Sequence, residues 1–161
     1  MHDIWKMYDQ AMCDGGNCPL RWGCRRYLAE PTGRQDFLGN PPYNPNGTCT
    51  HFLPVRKVLR QYVSTDDIRT NAYYLSKENL SIDKLIWRFA ETDYILERWL
   101  SGDFIKDNEL NKDNHMIKIK ELAYFKSLNQ NLTTDSLHWQ IAELSYIFQV
   151  IKSQIQKKNQ N

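Results

Sequence analysis

Two stretches of the chain are near copies of each other, and a chain that repeats at this length is built from supersecondary units that bury their apolar faces against one another. Ile68 to Ser76 aligns with Ile119 to Ser127 at an offset of 51 residues, with four identities in nine positions. Asn79 to Ile95 aligns with Asn131 to Ile147 at an offset of 52, with nine identities in seventeen. The change of offset places a one-residue insertion in the turn between the two blocks, so each copy reads as helix, short turn, longer helix.

The end signals agree. Thr65-Asp66-Asp67 suits the start of the first helix, its acids facing the positive end of the helix dipole. Ser81 and Thr133 are hydroxyl caps for the two long helices, followed by Asp83 and Asp135 in the first turn. Leu137, Ile141, Leu144, Phe148, Ile151 and Ile155 recur at three-to-four spacing and form one apolar stripe. Leu85, Phe89, Leu96 and Leu100 do the same in the second helix. Ala72, Ala90, Ala123 and Ala142 allow close helix approach around Trp87 and Trp139. The fold class expected is mainly α. Residues 61–161 form two repeated helical hairpins, at about 65–100 and 116–157, in a four-helix arrangement. Gly102 to Asn114 reads as a polar loop, and Lys157 to Asn161 as a fraying tail. The repeated Glu91 and Glu143 read as structural carboxylates that hold a Trp N–H, a Tyr hydroxyl or a backbone N–H. No Glu-x-x-His pair accompanies them, as a di-metal bundle requires. The Trp and Tyr positions of the repeat are read as core first and interface second.

Residues 1–60 follow different rules. All four cysteines of the chain lie there, at Cys13, Cys18, Cys24 and Cys49. Residues 13 to 54 hold six of the seven glycines and all six prolines, among them Gly15-Gly16, Pro41-Pro42 and Asn46-Gly47, so turns outnumber regular elements. Such a segment builds little core. Four thiolates on one ion would supply the missing folding energy. Zinc is the ion expected. An iron–sulfur cluster is the alternative, since the C-x4-C-x5-C-x24-C spacing departs from a C-x2-C knuckle. Disulfides are the weaker reading in a reducing compartment. His51 is a substitute ligand or a plain loop histidine.

Charge is divided too: residues 1–60 carry eight Lys and Arg against five Asp and Glu, whereas residues 61–161 carry 13 against 14. Arg21, Arg25, Arg26 and Arg34 lie among Trp22, Tyr27 and Phe37, and Arg56, Lys57 and Arg60 follow the last cysteine. Guanidinium groups beside aromatic rings suit phosphates and stacked bases, or an acidic protein surface. Trp22, Tyr27 and Phe37 equally suit a cap on a metal knuckle, with the arginines solvated. A net charge of +2 over 161 residues excludes a binder that works by bulk charge alone. The sequence lacks a run of 18 apolar residues, so no membrane span is expected, and Met1 to Lys6 do not open a secretory signal; the expected location is cytoplasmic.

The stretch Cys13-Asp-Gly-Gly-Asn-Cys18-Pro-Leu-Arg-Trp-Gly-Cys24-Arg-Arg-Tyr27-Leu-Ala29, with Gly33 to Phe37, Pro41-Pro42-Tyr43 and Cys49-Thr-His-Phe52, resembles small four-cysteine modules of uncharacterised phage and mobile-element proteins of the Bacteroidetes. The Ala-Tyr-x-Leu…Trp-x-x-Ala-Glu pattern of residues 72 to 91 is similar to a bacterial helical-hairpin family of unknown function; the second copy departs from it at Lys126. The resemblance implies a phage protein acting inside a bacterial host, with an anti-CRISPR inhibitor as its most concrete form. The expected function is therefore a non-enzymatic binding protein, with Cys13, Cys18, Cys24 and Cys49 as metal ligands. Arg21, Trp22, Arg25, Arg26, Tyr27, Arg34, Arg56, Lys57 and Arg60 would form the surface for an RNA or a host ribonucleoprotein such as a CRISPR effector. The alternatives are a metal- or iron–sulfur-dependent nucleic-acid-processing enzyme drawing on Asp14, Glu30, Asp36 and His51, and a zinc-stabilised adaptor or transcription regulator.

Overall fold

A computed structural model describes residues 3–8, 10–39 and 43–161. The turn expected at Pro41-Pro42 and the first two residues of the chain lie outside them. The described residues are mainly helical, with six α-helices: α1 (Arg25–Leu28), α2 (Val55–Leu59), α3 (Thr65–Lys77), α4 (Ile82–Leu100), α5 (Asp113–Ser127) and α6 (Thr134–Asn159). The chain divides into two compact units. The first holds Met1–Tyr62, Leu100–Gly102 and Ile151–Asn161; the second holds Val63–Trp99 and Asp103–Val150.

In the second unit the helix ends follow from local chemistry. Ser64 Oγ accepts the Asp67 N–H at 3.4 Å at the start of α3. Ser81 Oγ accepts the Lys84 N–H at 3.4 Å before α4, and Thr133 Oγ1 accepts the Ser136 N–H at 3.1 Å before α6. Each satisfies a backbone donor that the first helical turn leaves over. Thr133→Ala is therefore expected to destabilise this unit by about 1 kcal/mol, read from the denaturant midpoint, with little change in helix content. After α3, Asn79 takes φ +50°, a left-handed conformation that asparagine tolerates where a helix turns out.

Leu75, Leu85, Ile86, Leu137 and Ile141 are buried together, with Leu80, Phe89, Ala123 and Leu132 packed around them. The whole predicted stripe of α6 within this unit, Leu137, Ile141, Leu144 and Phe148, is buried, as are Ala90 and Ala142. Trp99 sits edge-on to Phe148 at 5.9 Å and donates its Nε1–H to Ile105 O at 3.0 Å. Tyr94 Oη and His115 Nδ1 are 2.6 Å apart in a buried pair. Glu91 has the structural part expected of it: its Oε1 accepts the Trp87 Nε1–H at 2.7 Å.

Three expectations change here. The link from Gly102 to Asn114 is not all loop, because Asp107–Glu109 forms a 3-10 turn and α5 begins at Asp113. The tail stays helical through Asn159. The tyrosines of the repeat are not uniformly core: Tyr94 is buried, whereas Tyr73, Tyr74 and Tyr124 are exposed. The last three sit on the outward side of short helices whose inward side is already filled by Ile68 and Leu75 in α3 and by Ile119 in α5.

The first unit has little regular structure. Isolated bridges, Lys6 with Glu30, Met12 with Phe37 and Cys24 with Pro54, replace strands among the described residues. Met7, Met12 and Ala29 are buried together, with Leu53 against them, and Leu28, Val55, Leu59, Ile151 and Ile155 are buried as well. The C-terminal end of α6 belongs to this unit, a difference from the expected boundary at residue 60. The reason is chemical: Gln154 Nε2 donates to Leu28 O at 2.6 Å, Lys157 pairs with Glu30, and Lys158 Nζ lies 5.3 Å from the Tyr27 ring centroid.

Candidate metal centre

The four cysteines converge. Cys13, Cys18, Cys24 and Cys49 line one cavity of about 20 Å³, together with His51 and with Gly15, Leu20, Arg21, Arg26, Tyr27, Leu38 and Phe52. All four are free thiols; Cys18 and Cys24 are buried and the other two are half-buried. Local turns aim them. The Cys18 N–H donates to Gly15 O at 2.8 Å, which folds residues 15 to 18 back on themselves. The Gly15 N–H points at Cys13 Sγ, 3.4 Å away, the donor-to-sulfur interaction that stabilises a thiolate. Gly15 has φ +80°, and a Cβ there would stand 2.6 Å from Tyr27 Cδ2, so the residue must be glycine for the ring to close over the turn. Gly15-Gly16, two residues after Cys13, was the sequence signal for this turn.

Burial pushes the Cys13 thiol above its ordinary pKa; the Gly15 N–H opposes this, and Cys24, Asp14 and Cys18 add to it. Three of the four sulfurs thus lie within electrostatic reach of one another. Among the described residues, however, no group of three or more Cys, His, Asp and Glu side chains is arranged to hold a metal ion as it stands. The thiols share a cavity without forming a closed shell. No protein-family model, curated protein or solved structure matches the chain.

The expected arginine face divides. Arg25 is buried, with Nε and Nη2 donating to Ile4 O at 3.2 and 2.9 Å and Nη2 to Lys6 O at 3.3 Å. This corrects the expectation of a partner-facing residue: the guanidinium satisfies carbonyls that a loop cannot pair by itself. Reversing its charge would set a buried carboxylate against those carbonyls, so such a variant reports on folding and not on binding. Arg26 donates from Nε to His51 O at 2.8 Å and from Nη1 to Ala11 O at 2.7 Å. Arg21 Nη1 donates to Gly16 O at 2.6 Å, and its guanidinium lies 5.4 Å from the Trp22 ring centroid. Trp22 stands edge-on to Tyr27 at 5.2 Å; Tyr27 lines the cavity and Trp22 lies behind it. Phe37 does not join them and is 54% exposed. Arg34 and Lys57 are exposed, as is Arg60, while Arg56 is half-buried; Arg56 and Arg60 are engaged in interactions of their own. Among the described residues no helix is long and apolar enough to cross a membrane.

Proposed function

We propose that the chain is a non-enzymatic binding protein whose first unit is a knuckle held by one zinc ion on Cys13, Cys18, Cys24 and Cys49. The observation that carries this is the shared cavity of four free thiols in a unit with little regular structure. Its volume of about 20 Å³ has room for one ion. Neither Asp14, Glu30 nor Asp36 lines the cavity. Closing the shell asks the side chains to turn toward a common point, which metal binding drives.

The target is an RNA or a ribonucleoprotein of the bacterial host, in its most concrete form an RNA-guided nuclease, and inhibition is by occlusion of phosphates. Arg21, Arg25 and Arg26 serve the fold, so phosphate binding falls to Arg34 and Lys57, with Phe37 exposed nearby in sequence as a stacking ring. Arg34→Glu with Lys57→Glu should weaken binding of a labelled single-stranded RNA in fluorescence anisotropy. It should also flatten the dependence of log affinity on log salt by about two, one for each phosphate no longer neutralised. Binding that ignores both substitutions, or that does not respond to salt, contradicts the RNA reading.

A further inference from the structure

We infer that Arg26 is a positioning residue of the metal centre, a single side chain that ties the first and last cysteine segments together; this rests on the zinc reading above. Arg26 lies two residues after Cys24. Its Nη1–H reaches Ala11 O, two residues before Cys13, at 2.7 Å. Its Nε–H reaches His51 O, two residues after Cys49, at 2.8 Å. Its own carbonyl accepts the Cys13 N–H at 3.0 Å. Three of the four ligand segments therefore meet at one residue. Cys49 is the ligand most distant in sequence, and the chain from Cys24 to it is rich in turns, so its arrival at the cavity depends on bonds made across that loop. The backbone supplies one, the Arg25 N–H to Leu53 O at 2.9 Å. Arg26 supplies the one that joins Cys49's neighbour directly to Cys13's.

An arginine suits this place for a geometric reason. Its guanidinium is a rigid planar fork whose donors diverge, so one side chain holds two carbonyls at fixed angles. A lysine keeps the charge but offers a point donor on a flexible stem. A glutamine does not reach. Outer partners that fix the ligands of a metal site typically contribute 10- to 100-fold in metal affinity. Arg26→Lys is therefore expected to weaken zinc binding about 10-fold and Arg26→Gln about 100-fold.

The test uses the full chain loaded with cobalt(II) and then with zinc. Cobalt reports the ligand set through its visible absorption, and zinc affinity is read by competition with a chromophoric chelator. A merely structural role would lower the melting temperature and leave the cobalt spectrum of the folded, loaded protein as in the wild type. The inference predicts a weakened and shifted cobalt band in Arg26→Gln, partial recovery in Arg26→Lys, and the stated affinity order. If Arg26→Gln does not fold, the rate of chelator-driven release from loaded Arg26→Lys decides, with about 10-fold acceleration expected. Wild-type spectra and release rates in the variants overturn the inference and leave the zinc reading standing. A wild-type chain that takes up neither metal overturns both.

Discussion

On the proposed zinc centre, the Cys18→Ser, Cys24→Ser double variant is expected to take up no metal and to lose the order of the first unit while keeping the second. The sizes of the terms decide this. A structural zinc contributes an apparent ~10–16 kcal/mol at neutral pH, whereas a whole domain is stable by only ~5–15 kcal/mol. The first unit buries side chains such as Met7, Met12, Leu28, Val55 and Leu59, but among the described residues it has single bridges in place of sheets. Losing a term as large as the whole stability of a domain is expected to open that unit. Cys18 and Cys24 are the two buried thiols, so serine there also sets hydroxyls in a buried place. Limited proteolysis should cut between residues 10 and 60 within the time that leaves the wild type intact, and a fragment carrying α3 to α6 should persist. Most of the helical circular dichroism should also remain, because α3, α4, α5 and most of α6 lie in the second unit. Equal protease resistance in the double variant and the wild type would show that the thiols do not hold the unit.

The second large effect lies in the helical unit. Leu85 and Leu137 occupy corresponding positions of the sequence repeat, both are fully buried, and both belong to one packed group with Leu75, Ile86 and Ile141. Leu85→Ala and Leu137→Ala are each expected to cost ~2–5 kcal/mol, the transfer of the lost methyls plus the cavity left behind. Because the two side chains share that group, the double variant should depart from additivity by ~0.5–3 kcal/mol. Urea denaturation followed by circular dichroism measures all three, and metal content should stay at the wild-type value. A cost below ~1 kcal/mol for either single variant would mean that the site collapses or is not packed as described.

Parts of this molecule were legible in its residues alone. Ser81 and Thr133 marked the starts of α4 and α6 because a hydroxyl followed by an acid two residues on leaves few other uses for both. The stripe from Leu137 to Ile155 predicted which side of α6 is buried, and each of its residues is. The stripe did not say what covers it, and its last members, Ile151 and Ile155, belong to the first unit. Periodicity reports a face, not its neighbour. The arginines were harder. Arg25 and Arg26 are adjacent in a segment without period, and whether a guanidinium faces water or a carbonyl depends on loops that bring residues 4, 11 and 51 beside it. The convergence of Cys49 with the other thiols, by contrast, was expected from the confinement of all four to the loop-rich first third, and all four line one cavity. The loop-rich composition led to the expectation of a staple. It did not show that arginine side chains would supply part of it.

The most direct test of the central claim is the native mass of the full chain, purified without added chelator, with its thiols probed by an alkylating reagent under native conditions. The account predicts the mass of the chain plus one zinc and four thiols that react only after the metal is removed. The mass of the bare chain with all four thiols alkylated at once, or a mass reduced by the hydrogens lost in disulfide formation, would contradict it.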